Sequence, residues 1–140
     1  MIIKAEKEHI PILALMLLAM YKELFPLDAS SNTDDYVSQI VEHFNDPRDV
    51  IYLDDKFRGF FVVRDETEKI APTLHRYNGI RIYIKKEYRK GRLLAEFYAR
   101  LFKDYPDGDI LGVTEINSEH IAVLDKRHER VANVYKLRRV

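Results

Sequence analysis

The residues with the clearest chemical content lie between Ile82 and Leu101. A β-rich run, Ile82-Tyr83-Ile84-Lys85-Lys86, passes through Glu87-Tyr88-Arg89-Lys90-Gly91 into an amphipathic segment that starts at Arg92. A helix start presents backbone N–H groups without intrahelical acceptors and the positive end of the helix dipole, so it suits a phosphate. Gly91 lets an anion come close to the backbone. Arg89, Lys90 and Arg92, with Lys85 and Lys86 upstream, place five cations at that end. The chemistry this predicts is binding of a phosphorylated ligand. The same pattern also suits a basic surface turn that merely joins a strand to a helix.

Other chemistries are excluded or weakly supported. The chain has no cysteine, which removes disulfides, thiolate metal sites and a cysteine nucleophile. Its five histidines include no HExxH pattern, and no serine sits in a nucleophile-elbow sequence. Formal net charge is zero, and basic residues alternate with aromatics only sparsely, at Arg76-Tyr77 and Tyr135 to Arg139. Nucleic acid is therefore not the expected partner. Charge is nonetheless divided along the chain. Residues 1–70 carry 8 Lys and Arg against 14 Asp and Glu, and residues 71–140 carry 15 against 9. The two halves are expected to meet different ligands, or else to form solvated faces of opposite sign.

The elements that must position these residues can be read from hydrophobic period and turn chemistry. A strand is expected over Met1 to Ala5 and a helix over about Lys7 to Leu24, with Pro11 in its first turn and Phe25-Pro26 ending it. Within this helix, Ile10 to Met20 is the most apolar run. It is shorter than the ~18–20 residues that span a bilayer. The preceding Glu6 and Glu8 and the following Tyr21-Lys22-Glu23 do not suit a signal peptide. No membrane partner is expected, and the expected compartment is the cytoplasm. A second helix begins near Thr33, with apolar Tyr36, Val37, Ile40, Val41 and Phe44, and stops at Asn45-Asp46-Pro47. Val50 to Leu53 and Arg58 to Arg64 form a hairpin around Asp54-Asp55-Lys56, and a third strand runs from Leu74 to Lys85.

A helix over Arg92 to Lys103 carries the stripe Leu93, Leu94, Phe97, Tyr98, Leu101 and Phe102. Pro106-Asp107-Gly108 turns into a strand, Ile110 to Ile116. A short helix, Ser118 to Lys126, and a last strand, Val131 to Arg138, complete a single domain over residues 1–140. The order β-α-α-β-β-β-α-β-α-β reads as α/β with a mixed sheet. The Arg92 to Lys103 helix is expected to be a right-handed crossover between parallel strands.

This order of elements resembles the GNAT superfamily of N-acetyltransferases, and so does the run Ile82 to Leu94. The family has a strand, an Arg/Gln-x-x-Gly-x-Gly/Ala loop and a helix with paired leucines. Leu111-x-Val113-x-x-x-Asn117 and Leu124 to Val131 resemble its later segments, and the hairpin at Gly59-Phe60-Phe61-Val62-Val63 also fits. The likeness covers essentially the whole chain and is greatest to compact, divergent bacteriophage-encoded versions. It implies a GNAT-like acyl-CoA N-acyltransferase fold, with a mixed, mostly antiparallel sheet and about four helices. It also implies acetyl-CoA as cosubstrate, met by Ile84, Arg89, Lys90, Gly91, Arg92 and Leu93, with Asn117 near the pantetheine arm. Counted from Arg89, the loop's glycine position is Arg92 and its final Gly/Ala is Leu94. The position of the family's frequent acidic tyrosine is Leu124, and the usual Gly-Phe is His128-Glu129.

Acetyl transfer to an amine needs a neutral nitrogen and help for the departing thiolate. Glu115, near the end of the strand leading to Asn117, is the candidate base, directly or through a water; it also reads as an exposed strand-end glutamate. Tyr83 reads either as a residue near the acyl group or as packing. The expected function is acetyl-CoA-dependent N-acetylation of a cationic amine or protein acceptor. Asp28, Asp34, Asp35, Glu42 and Asp46 would line the acceptor side. A homodimer is a further expected partner state. The alternative is a GNAT-fold protein, virus-encoded, that binds a partner without catalysis, as the one-glycine loop and Leu124 suggest.

Overall fold

The computed structural model describes residues 1–67, 69–71, 73–112 and 138. It begins with β1 (Ile2–Lys4), a 3-10 turn over Lys7–His9, α1 (Ile10–Leu24) and α2 (Thr33–Asn45). Next come β2 (Asp49–Asp54), β3 (Gly59–Asp65) and β4 (Arg76–Ile84). A second 3-10 turn (Lys86–Tyr88), α3 (Leu93–Asp104) and β5 (Asp109–Gly112) follow. The sheet order is β1-β2-β3-β4-β5. The first three pairings are antiparallel and β4–β5 is parallel, so the sheet is mixed and mostly antiparallel. A parallel pair cannot be joined by a tight turn, and α3 is the crossover.

Local chemistry explains the boundaries. Pro11 sits in the first turn of α1, where its missing N–H costs nothing. Asn32 caps α2 by accepting from the Asp34 amide at 3.1 Å, and Asp34 and Asp35 complement the helix dipole. In the β2–β3 turn Phe57 takes a left-handed φ of 58°. The buried Asp54 carboxylate holds that turn, accepting from Arg58 Nε at 2.6 Å and Nη2 at 2.9 Å. Before β5, Gly108 has φ +94°, and a Cβ there would lie 2.5 Å from the His75 carbonyl oxygen. Only glycine fits that turn.

The sheet separates two cores. On one face Leu13, Leu17, Tyr36 and Ile40 from α1 and α2 pack on Ile51, Leu53, Phe60, Val62 and Tyr83. On the other, Leu93, Phe97 and Leu101 of α3 pack on Ile2, Tyr52, Phe61 and Val63.

Several expectations are corrected. β4 begins at Arg76 rather than Leu74, and Leu74 is exposed. The alternation expected from Ile80, Ile82 and Ile84 is broken, because the register shifts between Val62 and Val63 and leaves Ile80 as an extra residue. Such a bulge reverses the faces across it: Ile80 packs in the α1–α2 core with Tyr83, and Ile84 in the α3 core, while Ile82 is 41% exposed. Phe102, placed in the stripe of α3, is 64% exposed. The helix start moves from Arg92 to Leu93, with Arg92 as its cap. The described residues contain three α-helices rather than about four. The expected helix Ser118 to Lys126 lies outside them. So do the end of the strand to Ile116 and, apart from Arg138, the last strand.

Candidate active site

β4 carries the chain to the candidate anion site. Its pairing with β5 runs from Arg76↔Asp109 to Gly79↔Gly112. The segment Ile80 to Ile84 therefore has β3 beside it and no β5 partner among the described residues. After Ile84 the Tyr88 amide bonds to Lys85 O at 2.9 Å, and the Gly91 amide bonds to Tyr88 O at 3.3 Å. Glu96 is the first amide bonded back into the helix start, to Arg92 O at 3.0 Å. The amides of Leu93, Leu94 and Ala95 thus have no intrahelical acceptor, and Arg92 makes no side-chain cap.

The predicted cofactor residues fall into distinct groups here. Lys90, Gly91 and Arg92 are exposed together at the helix start. Lys85, Lys86, Lys90 and Arg92 form no ion pair among the described residues. Leu93 is buried and anchors the helix, while Ile84 packs in the same core and gives its carbonyl to Arg89 Nε at 2.8 Å. Arg89 is engaged elsewhere: its Nη2 donates to Glu23 Oε2 at 2.5 Å, and its guanidinium lies 5.7 Å from the Tyr83 ring centroid. Glu115 and Asn117 lie outside the described residues.

Gly91 does not have a left-handed φ, and a Cβ there would meet only Tyr88 O at 3.5 Å. Gly91→Ala should therefore fold like the parent, within about 0.5 kcal/mol by denaturant unfolding. A larger loss would show that the glycine serves the fold rather than an approaching ligand.

On the α1–α2 side of β4 lies an open cavity of about 290 Å³, lined by Tyr21, Phe25, Asp28, Asp35, Tyr36 and Gln39 among others. The Tyr21 ring is 6.2 Å from Phe25 and 5.9 Å from Tyr36. Asp35 accepts from Ser30 Oγ. Arg81 of β4 is bonded to two of the lining residues, donating to Tyr21 OH at 3.1 Å and Gln39 Oε1 at 2.9 Å. Aromatic faces and carboxylates together suit a cation. Of the acids expected here, Asp28 and Asp35 line the cavity. Asp34 lies at the cap of α2, and Asp46 is bound by Arg48.

Between the two regions stands Tyr83. Its hydroxyl is 3.5 Å from Glu23 Oε1. Burial first, and then the Glu23 charge, raise its pKa above the usual phenol value. Reading the sequence missed Glu23, Tyr21, Phe25, Gln39 and Arg81. The spacing of Tyr21 and Phe25 four apart at the end of α1 is the signal that could have found that pair.

No cluster of three or more His, Asp or Glu side chains that could hold a metal occurs among the described residues. None of their helices is long and apolar enough to cross a membrane.

No family model matches the sequence, and no curated protein matches it. Solved structures do. A possible acetyltransferase from Clostridium difficile 630 is similar over 100% of this chain and 97% of its own, with 16% identity and a TM-score of 0.77. AAC(6')-Iy, in complex with the bisubstrate analogue CoA-S-monomethyl-acetylneamine, is similar over 100% and 97%, with 14% identity and a TM-score of 0.72. A ribosomal-protein-alanine N-acetyltransferase from Brucella melitensis biovar Abortus 2308 is similar over 100% and 98%, with 14% identity and a TM-score of 0.71. The chain has the fold of these solved acetyltransferases, with the mixed, mostly antiparallel sheet expected from the sequence.

Proposed function

We propose that this protein is an N-acetyltransferase that takes the acetyl group of acetyl-CoA and gives it to a cationic amine. One juxtaposition carries the reading. Amides and cations at the start of α3 that have no partner among the described residues lie at one end of β4, and Arg81 of the same strand is bonded to Tyr21 and Gln39 of the aromatic, acid-lined cavity. The neighbours' acetyl transfer and the coenzyme A analogue in AAC(6')-Iy support it.

In this reading the α3 amides, Lys90 and Arg92 hold the pyrophosphate, and Gly91 leaves room for it. The acceptor's charged end rests against Asp28 and Asp35. Glu115 takes the amine proton, directly or through a water, and Asn117 meets the pantetheine arm. The neutral nitrogen attacks the thioester carbonyl, the C–S bond breaks, and the proton the nitrogen loses as the amide forms passes to the departing thiolate, so coenzyme A leaves as a thiol.

Coenzyme A at ~100 times its dissociation constant should stabilise the fold by about 2.7 kcal/mol. This is read as a rise in melting temperature and confirmed by calorimetry. Lys90→Ala and Arg92→Ala should each weaken binding roughly tenfold, the lower end for a charge-assisted bond at an exposed site. No shift at millimolar coenzyme A would sink the enzyme reading. The second reading, a binding protein without catalysis, is favoured by the one-glycine loop and by Leu124. Coenzyme A binding without acetyl transfer to any amine tested would select it.

A further inference from the structure

We infer that Arg89 is a clamp rather than a phosphate ligand, and that Glu23 is the positioning residue that makes it one. The inference rests on the reading of the start of α3 as the coenzyme A site. Three observations carry it.

First, Arg89 is already engaged on three sides, with two of its five N–H donors and one face in use. Nε is bonded to the Ile84 carbonyl at 2.8 Å, Nη2 to Glu23 at 2.5 Å, and one face of the guanidinium lies toward Tyr83. Its side chain is 25% exposed, whereas Lys90 and Arg92 stand in solvent beside the free amides. Second, the turn holds itself weakly. Two of its internal bonds are long, Arg89 N to Lys86 O at 3.4 Å and Gly91 N to Tyr88 O at 3.3 Å. The direction of the α3 amides therefore depends on what fixes Arg89. Third, Glu23 belongs to the last turn of α1, 66 residues away in sequence. Tyr21 in α1 and Phe25 at its C-cap, each two residues from Glu23, line the acid-bearing cavity. One carboxylate thus ties the basic turn to the wall of the other pocket.

The two roles of Arg89 make opposite predictions for Glu23→Gln, which keeps the shape and removes the charge. Were Arg89 a phosphate ligand, freeing it from Glu23 would tighten coenzyme A. As a clamp, its release loosens the turn. The experiment titrates coenzyme A into the wild type, Glu23→Gln, Arg89→Ala and the double variant by calorimetry. Three- to tenfold weaker binding is expected in each single variant. The double variant should be no weaker than Arg89→Ala alone, because both changes break one device. Tighter binding in Glu23→Gln, or additive losses, would overturn the clamp.

Hydrogen exchange without coenzyme A gives an independent readout. The Tyr88 and Gly91 amides should exchange several-fold faster in Glu23→Gln, and unchanged exchange would also overturn it. If the wild type bound no coenzyme A but exchange still accelerated, the cofactor reading would fail and the clamp would stand.

Discussion

Phe97→Ala is expected to cost about 3–5 kcal/mol of stability. Phe97 is fully buried in the core between α3 and the sheet, where its ring lies 6.2 Å from that of Phe61. The helix places Leu93, Phe97 and Leu101 on one face, so the truncation opens a hole in the middle of the only apolar seam holding α3 to the strands among the described residues. Urea unfolding at constant pH measures the loss as a lower midpoint with an unchanged slope. Phe97→Leu, which keeps most of the volume, should cost less than about 1.5 kcal/mol. A nearly neutral Phe97→Ala would mean that α3 is not seated as described. Since the start of α3 is also the candidate anion site, Phe97→Ala should weaken coenzyme A without touching it.

Asp49→Asn should be the next most damaging change, at about 3 kcal/mol near neutral pH, the low end for breaking a buried pair. The Asp49 side chain is fully buried. It accepts from Arg64 Nε at 2.7 Å and Nη2 at 2.9 Å, and its Oδ2 is 2.8 Å from His43 Nδ1. The cost stays at the low end because Arg64 is 28% exposed, and Asp46 stands 3.7 Å away as a partial substitute.

Burial opposes ionisation of Asp49, but the Arg64 and His43 hydrogen bonds outweigh it and hold the carboxyl below its ordinary range. A carboxyl depressed by folding contributes stability above the unfolded pKa of about 3.9 and loses it as pH falls through the folded value. The gap between wild type and Asp49→Asn should therefore be full at pH 7 and shrink below about pH 4. Unfolding curves at pH 7, 4 and 3 give the answer. A gap independent of pH would assign the loss to packing instead.

Much of the architecture was readable because single segments announce themselves. The seam of α3 and the start of α2 near Thr33 are local patterns, and the hairpin and the Gly108 turn each follow from a few adjacent residues. What escaped reading depends on partners far away. The bulge at Ile80 arises from register against β3, so Ile80 packs with Tyr83 on the α1–α2 face while Ile84 packs on the α3 face. Phe102 continues a hydrophobic stripe on paper, but it is 64% exposed, while the buried face of α3 is Leu93, Phe97 and Leu101.

At the candidate site the cations and Gly91 were visible as a cluster, and so were the acids Asp28 and Asp35. Glu23 was not, because nothing near position 23 refers to position 89. Arg89 looked equivalent to Lys90 and Arg92 for the same reason.

The candidate anion seat at the start of α3 would be built from main-chain amides, and its capping residue contributes no side-chain bond. Such donors are inherited with the helix and not with any particular codon. Substitution can run through the exposed positions around it while the donors stay in place, provided the buried face of Leu93 and Phe97 persists. A shape can then persist while its spelling changes, and the solved structures share this fold across the whole chain at 14–16% identity.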